Sequence, residues 1–181
     1  MFFSGNAIIL QTNLSKYGKD LRNNSFEING EFYSITLFHD SLDTGIINWS
    51  KSFTLGAMVT INFMKVNDFI ILFTSSTQNY IYMKEILIKI INPEIEVSLY
   101  KLPFPLPNTL DLKTIKGIAN YEIDPFFGLD FILNIANVKS ILKIFTNGLI
   151  TYSMTNDENV LKTILNITFE IIGEVNEQYE L

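Results

Sequence analysis

Gly45-Ile46-Ile47-Asn48-Trp49 and Gly117-Ile118-Ala119-Asn120-Tyr121 share a Gly-Ile-x-Asn-aromatic pattern at an offset of 117 − 45 = 72 residues. The same offset pairs Gly56 with Gly128, Asn62 with Asn134, Val66 with Val138, Phe73 with Phe145, Thr74 with Thr146 and Tyr80 with Tyr152. Apolar classes follow in Val59 with Phe131, Ile61 with Leu133 and Leu72 with Ile144, while Leu42 against Thr114 breaks the pattern. The offset needs no gap from about Phe38 to Tyr82. A fixed period of this kind is the mark of a duplicated supersecondary unit.

Both copies predict the same order of elements. An opening strand covers Phe32 to Phe38 in one and Ile95 to Leu102 in the other. A short helix starts at Asp40 or Asp111, where a carboxylate suits the unpaired N–H groups of a first turn. Long strands come next, in the second copy Leu129 to Ile135 and Ser140 to Phe145. Leu149 to Ser153 follows after Asn147-Gly148, a strong hairpin signal. A helix closes each copy, at about Ile81 to Ile91 and Asn159 to Ile172. Val160, Ile164, Ile167 and Ile171 fall at helical spacing, and Pro93 stops the first helix.

Residues 1–31 lie outside the repeat as an N-terminal extension. Ala7 to Thr12 predicts a strand, Lys16 to Asn24 a polar loop, and Ser25 to Ile28 with Glu31 to Leu37 a hairpin about Asn29-Gly30. The expected division is therefore 1–31, 32–92 and 93–181, in an α+β fold.

Composition sets the remaining bounds. In 181 residues, 48% are apolar and the mean hydropathy is +0.23, enough to build a core. The 15 Phe and 8 Tyr favour sheet packing. No apolar run approaches the roughly 18 residues of a membrane span, and Met1 to Asn6 lacks the pattern of a signal peptide. A soluble, intracellular protein with no membrane partner is expected. The absence of Cys excludes disulfides and thiolate zinc sites. His39 is the single histidine, and its neighbours Asp40 and Ser41 cannot form a relay with it, because adjacent side chains diverge. With no phosphate-binding loop or metal-ligand spacing, no enzyme, cofactor or metal is expected. The net charge of −6, with Arg22 the single arginine, argues against a broad cationic groove for nucleic acid. It leaves room for a mode that relies on apolar wedges.

The second copy carries a family resemblance. Leu110-Asp111-Leu112-Lys113-Thr114-Ile115 resembles the first-helix segment of TATA-box-binding proteins. Ala119-Asn120-Tyr121-Glu122-Ile123-Asp124-Pro125-Phe126-Phe127-Gly128-Leu129 is similar to the family's Tyr-x-Pro and Phe-Pro-Gly-Leu stretch. Lys143-Ile144-Phe145-Thr146-Asn147-Gly148 resembles its Ile-Phe-x-Ser-Gly strand and turn, and Pro103-Phe104-Pro105-Leu106 its Phe-Pro-Ile segment. The resemblance spans roughly residues 32 to 172 and is clearest in the second copy.

The resemblance implies a saddle: two pseudo-symmetric repeats form a curved antiparallel sheet with helices on its convex face. Family members grip the DNA minor groove with the concave face and wedge phenylalanines between base steps, and the resemblance implies the same mode for this chain. On this chain, Phe126 and Phe145 match the wedges of the second copy and Phe73 one wedge of the first. Phe53 is an uncertain fourth, because the offset puts Thr54 opposite Phe126, and a one-residue slip turns a strand side chain to the other face. Alternation places Lys143, Thr151 and Ser153 on the concave side, mirrored in the first copy by Ile71, Asn79 and Ile81. The preceding strand adds Asp130, Ile132 and Asn134, mirrored by Met58, Thr60 and Asn62.

The implied function is a transcription initiation factor that binds and bends promoter DNA. Its partners would be AT-rich double-stranded DNA and other transcription factors or RNA polymerase subunits. It would act in the nucleus of a eukaryote or the cytoplasm for an archaeal or viral protein. The chain also departs from the family. The central asparagines are missing from the opening strands, rim cations are few, and Asp130 aims a carboxylate at the DNA side. These departures favour the alternative of a saddle-shaped protein-interaction subunit of a transcription assembly, without sequence-specific DNA binding.

Overall fold

The computed structural model describes residues 4–18, 20–38, 43–52, 56–107 and 109–179. The chain forms two compact units, Ile8–Tyr100 and Met1–Ala7 with Lys101–Leu181. Strand β1 (Asn6–Thr12) is shared between them by sequence.

The first unit adds β2 (Asn24–Ile28), β3 (Glu31–Leu37), β4 (Thr44–Ser50), β5 (Met58–Val66), β6 (Phe69–Phe73), α1 (Tyr80–Ile90) and β7 (Val97–Leu99). Its strands run in the order β2-β3-β4-β5-β6-β1, all antiparallel, with β7 also beside β1. The hairpin of β2 and β3 turns through Asn29 and Gly30 at φ of 54° and 85°. That left-handed pair matches the twist of the flanking strands.

Alternation divides this sheet into two faces. Ile47, Ile61, Phe63 and Leu72 are buried on one, and Met83, Ile86, Leu87 and Ile90 of α1 are buried at helical spacing. Each such side chain contributes roughly 1.5–3 kcal/mol on burial. Trp49 stacks on Tyr82 of α1 with ring centroids 4.6 Å apart. Its Nε1–H donates to the Glu31 carboxylate at 3.0 Å, and the Tyr33 hydroxyl donates to the same oxygen at 2.8 Å. These donors, Trp49 foremost, hold Glu31 below the usual carboxylate range. Burial, reinforced by the bond to Glu31, pushes Tyr33 up to about 12.

The second unit consists of β8 (Ile118–Asp124), β9 (Gly128–Ile135), β10 (Val138–Phe145), β11 (Leu149–Tyr152) and α2 (Glu158–Tyr179). The strands run β11-β10-β9-β8, all antiparallel. Residues 4–6 border β11: Tyr152 N–H donates to Gly5 O at 2.8 Å, and its buried hydroxyl to Ser4 O at 2.6 Å. Leu129, Phe131, Leu133, Leu142, Ile144 and Ile150 are buried on the inner face. Helix α2 contributes a stripe from Leu161 to Val175. Gly117, at φ 99°, leaves room for Ile167 of that helix: a Cβ there would meet the Ile167 Cδ1 at 3.0 Å.

Several sequence expectations are corrected. No helix starts at Asp111; residues 109–117 are turn and coil. Side chains take the backbone groups that a helix would have used. Gln178 accepts from the Asp111 N–H at 3.0 Å and donates to its carbonyl at 3.1 Å, and the Tyr121 hydroxyl donates to Leu110 O at 3.0 Å. The counterpart at Asp40 lies outside the described residues. The second opening strand shrinks to Val97–Leu99, and α2 runs to Tyr179 because Val175 continues its apolar stripe. Asn79 and Ile81 are not strand residues: Thr77–Asn79 is a 3-10 helix and Ile81 lies in α1.

The 72-residue offset holds in one ladder and fails in the next. Asn48 pairs with Thr60 and Trp49 with Val59; at the offset, Asn120 pairs with Ile132 and Tyr121 with Phe131. Yet β6 leads into α1 as β11 leads into α2, so by element order β6 stands where β11 does. The offset instead aligns β6 with β10. Both units contain an antiparallel meander of four strands followed by a helix, β3-β4-β5-β6-α1 and β8-β9-β10-β11-α2. Sequence offset and element order thus disagree by one strand.

Candidate nucleic-acid interface

The second unit presents an open sheet face, set by strand alternation. Asn120 and Glu122 of β8, Asp130, Ile132 and Asn134 of β9, and Lys139, Ile141, Lys143 and Phe145 of β10 point one way, while the intervening residues of β9 and β10 are buried. Thr151 pairs with Lys143 and shares the face. Its hydroxyl donates to the Asn6 Oδ1 at 2.9 Å, which brings Asn6 of β1 to the same surface. Ser153 lies past the end of β11 and closes on Ile141: its N–H donates to Ile141 O at 2.9 Å, and its hydroxyl accepts from Ile141 N–H at 2.8 Å.

The centre of this face is apolar. Ile132 and Ile141 stand opposite each other on β9 and β10, and both are exposed. Charge surrounds them. Asp130 and Lys143 are cross-strand partners joined by an ion pair. Glu122 is opposite Asp130 on the other side, two like charges in direct register. Asn134 is paired with Lys139.

Phe145 pairs with Gly128, which has φ 140°. A Cβ on Gly128 would lie 2.1 Å from Ile144 O and 2.9 Å from the Phe145 Cα, so only glycine allows the strands to close here. Phe145 is half-buried, whereas Phe126 is 63% exposed at the three-residue turn between β8 and β9. Asp124 shapes that turn, its Oδ1 accepting from Phe126 N–H at 2.9 Å and Phe127 N–H at 3.1 Å. Thr146, just past the end of β10, anchors it: its hydroxyl donates to Phe126 O at 3.1 Å and its N–H to Phe127 O at 3.0 Å. A cavity of about 380 Å³ lies beside the turn, lined by Asp124, Phe127, Lys143 and Phe145 among others.

In the first unit the corresponding residues are arranged differently. Phe73 is 5% exposed and Ile71 is fully buried, so neither ring nor chain is presented at the surface. Phe73, the last residue of β6, pairs with Asn62 in the middle of β5. Thr60 is exposed, and its hydroxyl donates to Asn48 Oδ1 at 2.8 Å; Asn48 Nδ2 in turn donates to Ser34 Oγ at 3.1 Å. This forms an uncharged Ser-Asn-Thr ladder across β3, β4 and β5. Phe53 lies outside the described residues.

Sequence reading overlooked Asn6, Glu122 and Ile141. The alternation of Ile118 to Asp124 and of Val138 to Phe145 carried the signal for the last two; Asn6 reaches the face through a pairing across the chain from β11. Among the described residues, no group of three His, Asp or Glu is placed to hold a metal, and no helix is long and apolar enough to cross a membrane.

No protein-family model and no curated protein matches the chain. Among solved structures, a Methanococcus jannaschii TBP is similar, at 14% identity over 94% of this chain and 96% of that one, with a TM-score of 0.28. The likeness is too loose in three dimensions to carry an argument.

Proposed function

We propose that the chain is a transcription initiation factor of the TATA-box-binding-protein kind, which docks on the minor groove of AT-rich duplex DNA and recruits other initiation factors or RNA polymerase subunits. The motif resemblance of residues 103–148 supports this reading. The single observation that carries it is the end of the second unit's open face. There Phe145 stands opposite a side-chain-free Gly128, next to the turn that exposes Phe126. Rings placed in this way can wedge between base steps, and the uncharged Asn6, Asn134 and Thr151 can meet the acceptors of A·T pairs. With Lys139 and Lys143 the cations of this face among the described residues, few phosphates are neutralised and binding should depend only weakly on salt.

Fluorescence-detected bending of an AT-rich duplex tests the reading. Wild type should bend the duplex at low salt, and Phe126→Ala and Phe145→Ala should each lose binding at least tenfold with the fold intact, about the worth of a stacked base. Absence of binding to any duplex at low salt overturns it.

One observation favours a second reading, a protein-interaction subunit of a transcription assembly. Glu122 and Asp130 face each other on the open face, with Asp124 nearby, a pattern that repels phosphate. In that case the apolar Ile132–Ile141 centre takes a segment of a protein partner, and crosslinking from position 141 captures protein rather than DNA.

A further inference from the structure

Phe104 is an exposed aromatic ring that the duplex-binding reading does not use. It is 60% exposed, and its ring packs edge-on against Phe126, with centroids 6.0 Å apart and planes at 62°. The segment bearing it is tied to the Phe126 turn by a backbone bond from Leu106 N–H to Pro125 O at 3.0 Å. Thr146 ties the same turn to β10. Two neighbouring Phe rings, both about six-tenths exposed, contribute little to a core, because most of their surface remains in water. An edge-to-face pair does limit the orientations open to each ring.

We infer that Phe104 is a positioning residue for Phe126, holding the wedge ring in the orientation in which it enters a base step. The inference rests on the duplex-binding reading. The physical reason is entropic. Phe126 sits on a three-residue turn, and Phe104 is the aromatic ring packed against its own. A ring that rotates freely must be ordered on insertion, and ordering a side chain opposes binding. A ring already held edge-on avoids most of that loss. Phe104 acts through Phe126, so its effect disappears when Phe126 is absent.

A double-mutant cycle on the full chain tests this, with affinity and bend angle read on a doubly labelled AT-rich duplex. Phe104→Ala should weaken binding by about three- to tenfold, the worth of an aromatic pair, and reduce the bend. In the Phe126→Ala background the same change should cost less than about twofold. Phe104→Tyr, which keeps the ring, should restore binding; Phe104→Leu, which keeps bulk without a ring edge, should not. The salt dependence should be unchanged throughout, since no charge is altered. Independent losses in the two variants, or rescue by leucine, overturn the inference while the duplex reading stands. Wild type that bends duplex with Phe104→Ala unimpaired does the same. Wild type that binds no duplex overturns both. Thermal unfolding of each variant separates misfolding from lost binding; should the alanine variant unfold, the contrast between the Tyr and Leu variants decides the question in its place.

Discussion

Lys143 and Asp130 stand opposite each other on β10 and β9, and their side chains form an ion pair on the open face of the second unit. The pair joins the cation expected to meet phosphate with the carboxylate expected to repel it. Both are partly exposed, so their mutual stabilisation is on the order of 0–1 kcal/mol.

The binding consequence is larger than the stability consequence. Asp130→Asn should leave the unfolding free energy within about 0.5 kcal/mol and strengthen duplex binding several-fold at low salt, by removing a negative charge and releasing Lys143. Lys143→Met should weaken it and reduce the salt slope by about one phosphate. Affinity measured across a salt series checks both; weaker binding by Asp130→Asn contradicts the assignment of this face to DNA.

Phe73 should behave as a core residue. It is 5% exposed, so Phe73→Ala should lower stability by about 3–5 kcal/mol, the range for a buried aromatic. Chemical denaturation measures the loss. A variant as stable as wild type but unable to bind duplex would restore Phe73 as a wedge.

Gly128 should tolerate no side chain. At its φ of 140° a Cβ would come within 2.1 Å of Ile144 O, so alanine is opposed both by local backbone conformation and by steric overlap. Gly128→Ala should cost about 3 kcal/mol or more. Amide exchange across the β9/β10 ladder should rise first at Phe145, its cross-strand partner.

Alkaline pH should weaken the fold through Tyr33. Its folded-state value is raised from 10.0 to about 12, so the protonated form is favoured in the native state. The stabilisation is complete below pH 10 and is lost as pH rises through about 12. Unfolding followed across that window should show a steeper decline in wild type than in Tyr33→Phe. Parallel curves exclude the effect.

Much of the fold was legible from local pattern. The β2–β3 hairpin followed from Asn29-Gly30, and β9, β10 and β11 from alternation and the Asn147-Gly148 turn, because these depend on residues a few positions apart. The face carrying Asp130, Ile132, Asn134 and Lys143 followed in the same way, since strand side chains alternate strictly. The supposed helix at Asp111 did not form. The side chains that take its backbone groups, Gln178 and Tyr121, lie 67 and 11 residues from the groups they bind, and no local propensity reports them.

Sequence by itself determined which residues of β9 and β10 alternate together, that hairpins turn at Asn29-Gly30 and Asn147-Gly148, and that a helix closes each unit, because each is a short-range consequence of side-chain period and turn chemistry. Tertiary structure alone decided that Phe73 is buried while Phe126 is exposed, that Lys143 is matched to Asp130, and that Asn6 joins Thr151 across 145 residues. Exposure and pairing depend on what packs against a side chain from elsewhere in the chain, and identical residues in equivalent patterns diverge when that neighbour differs.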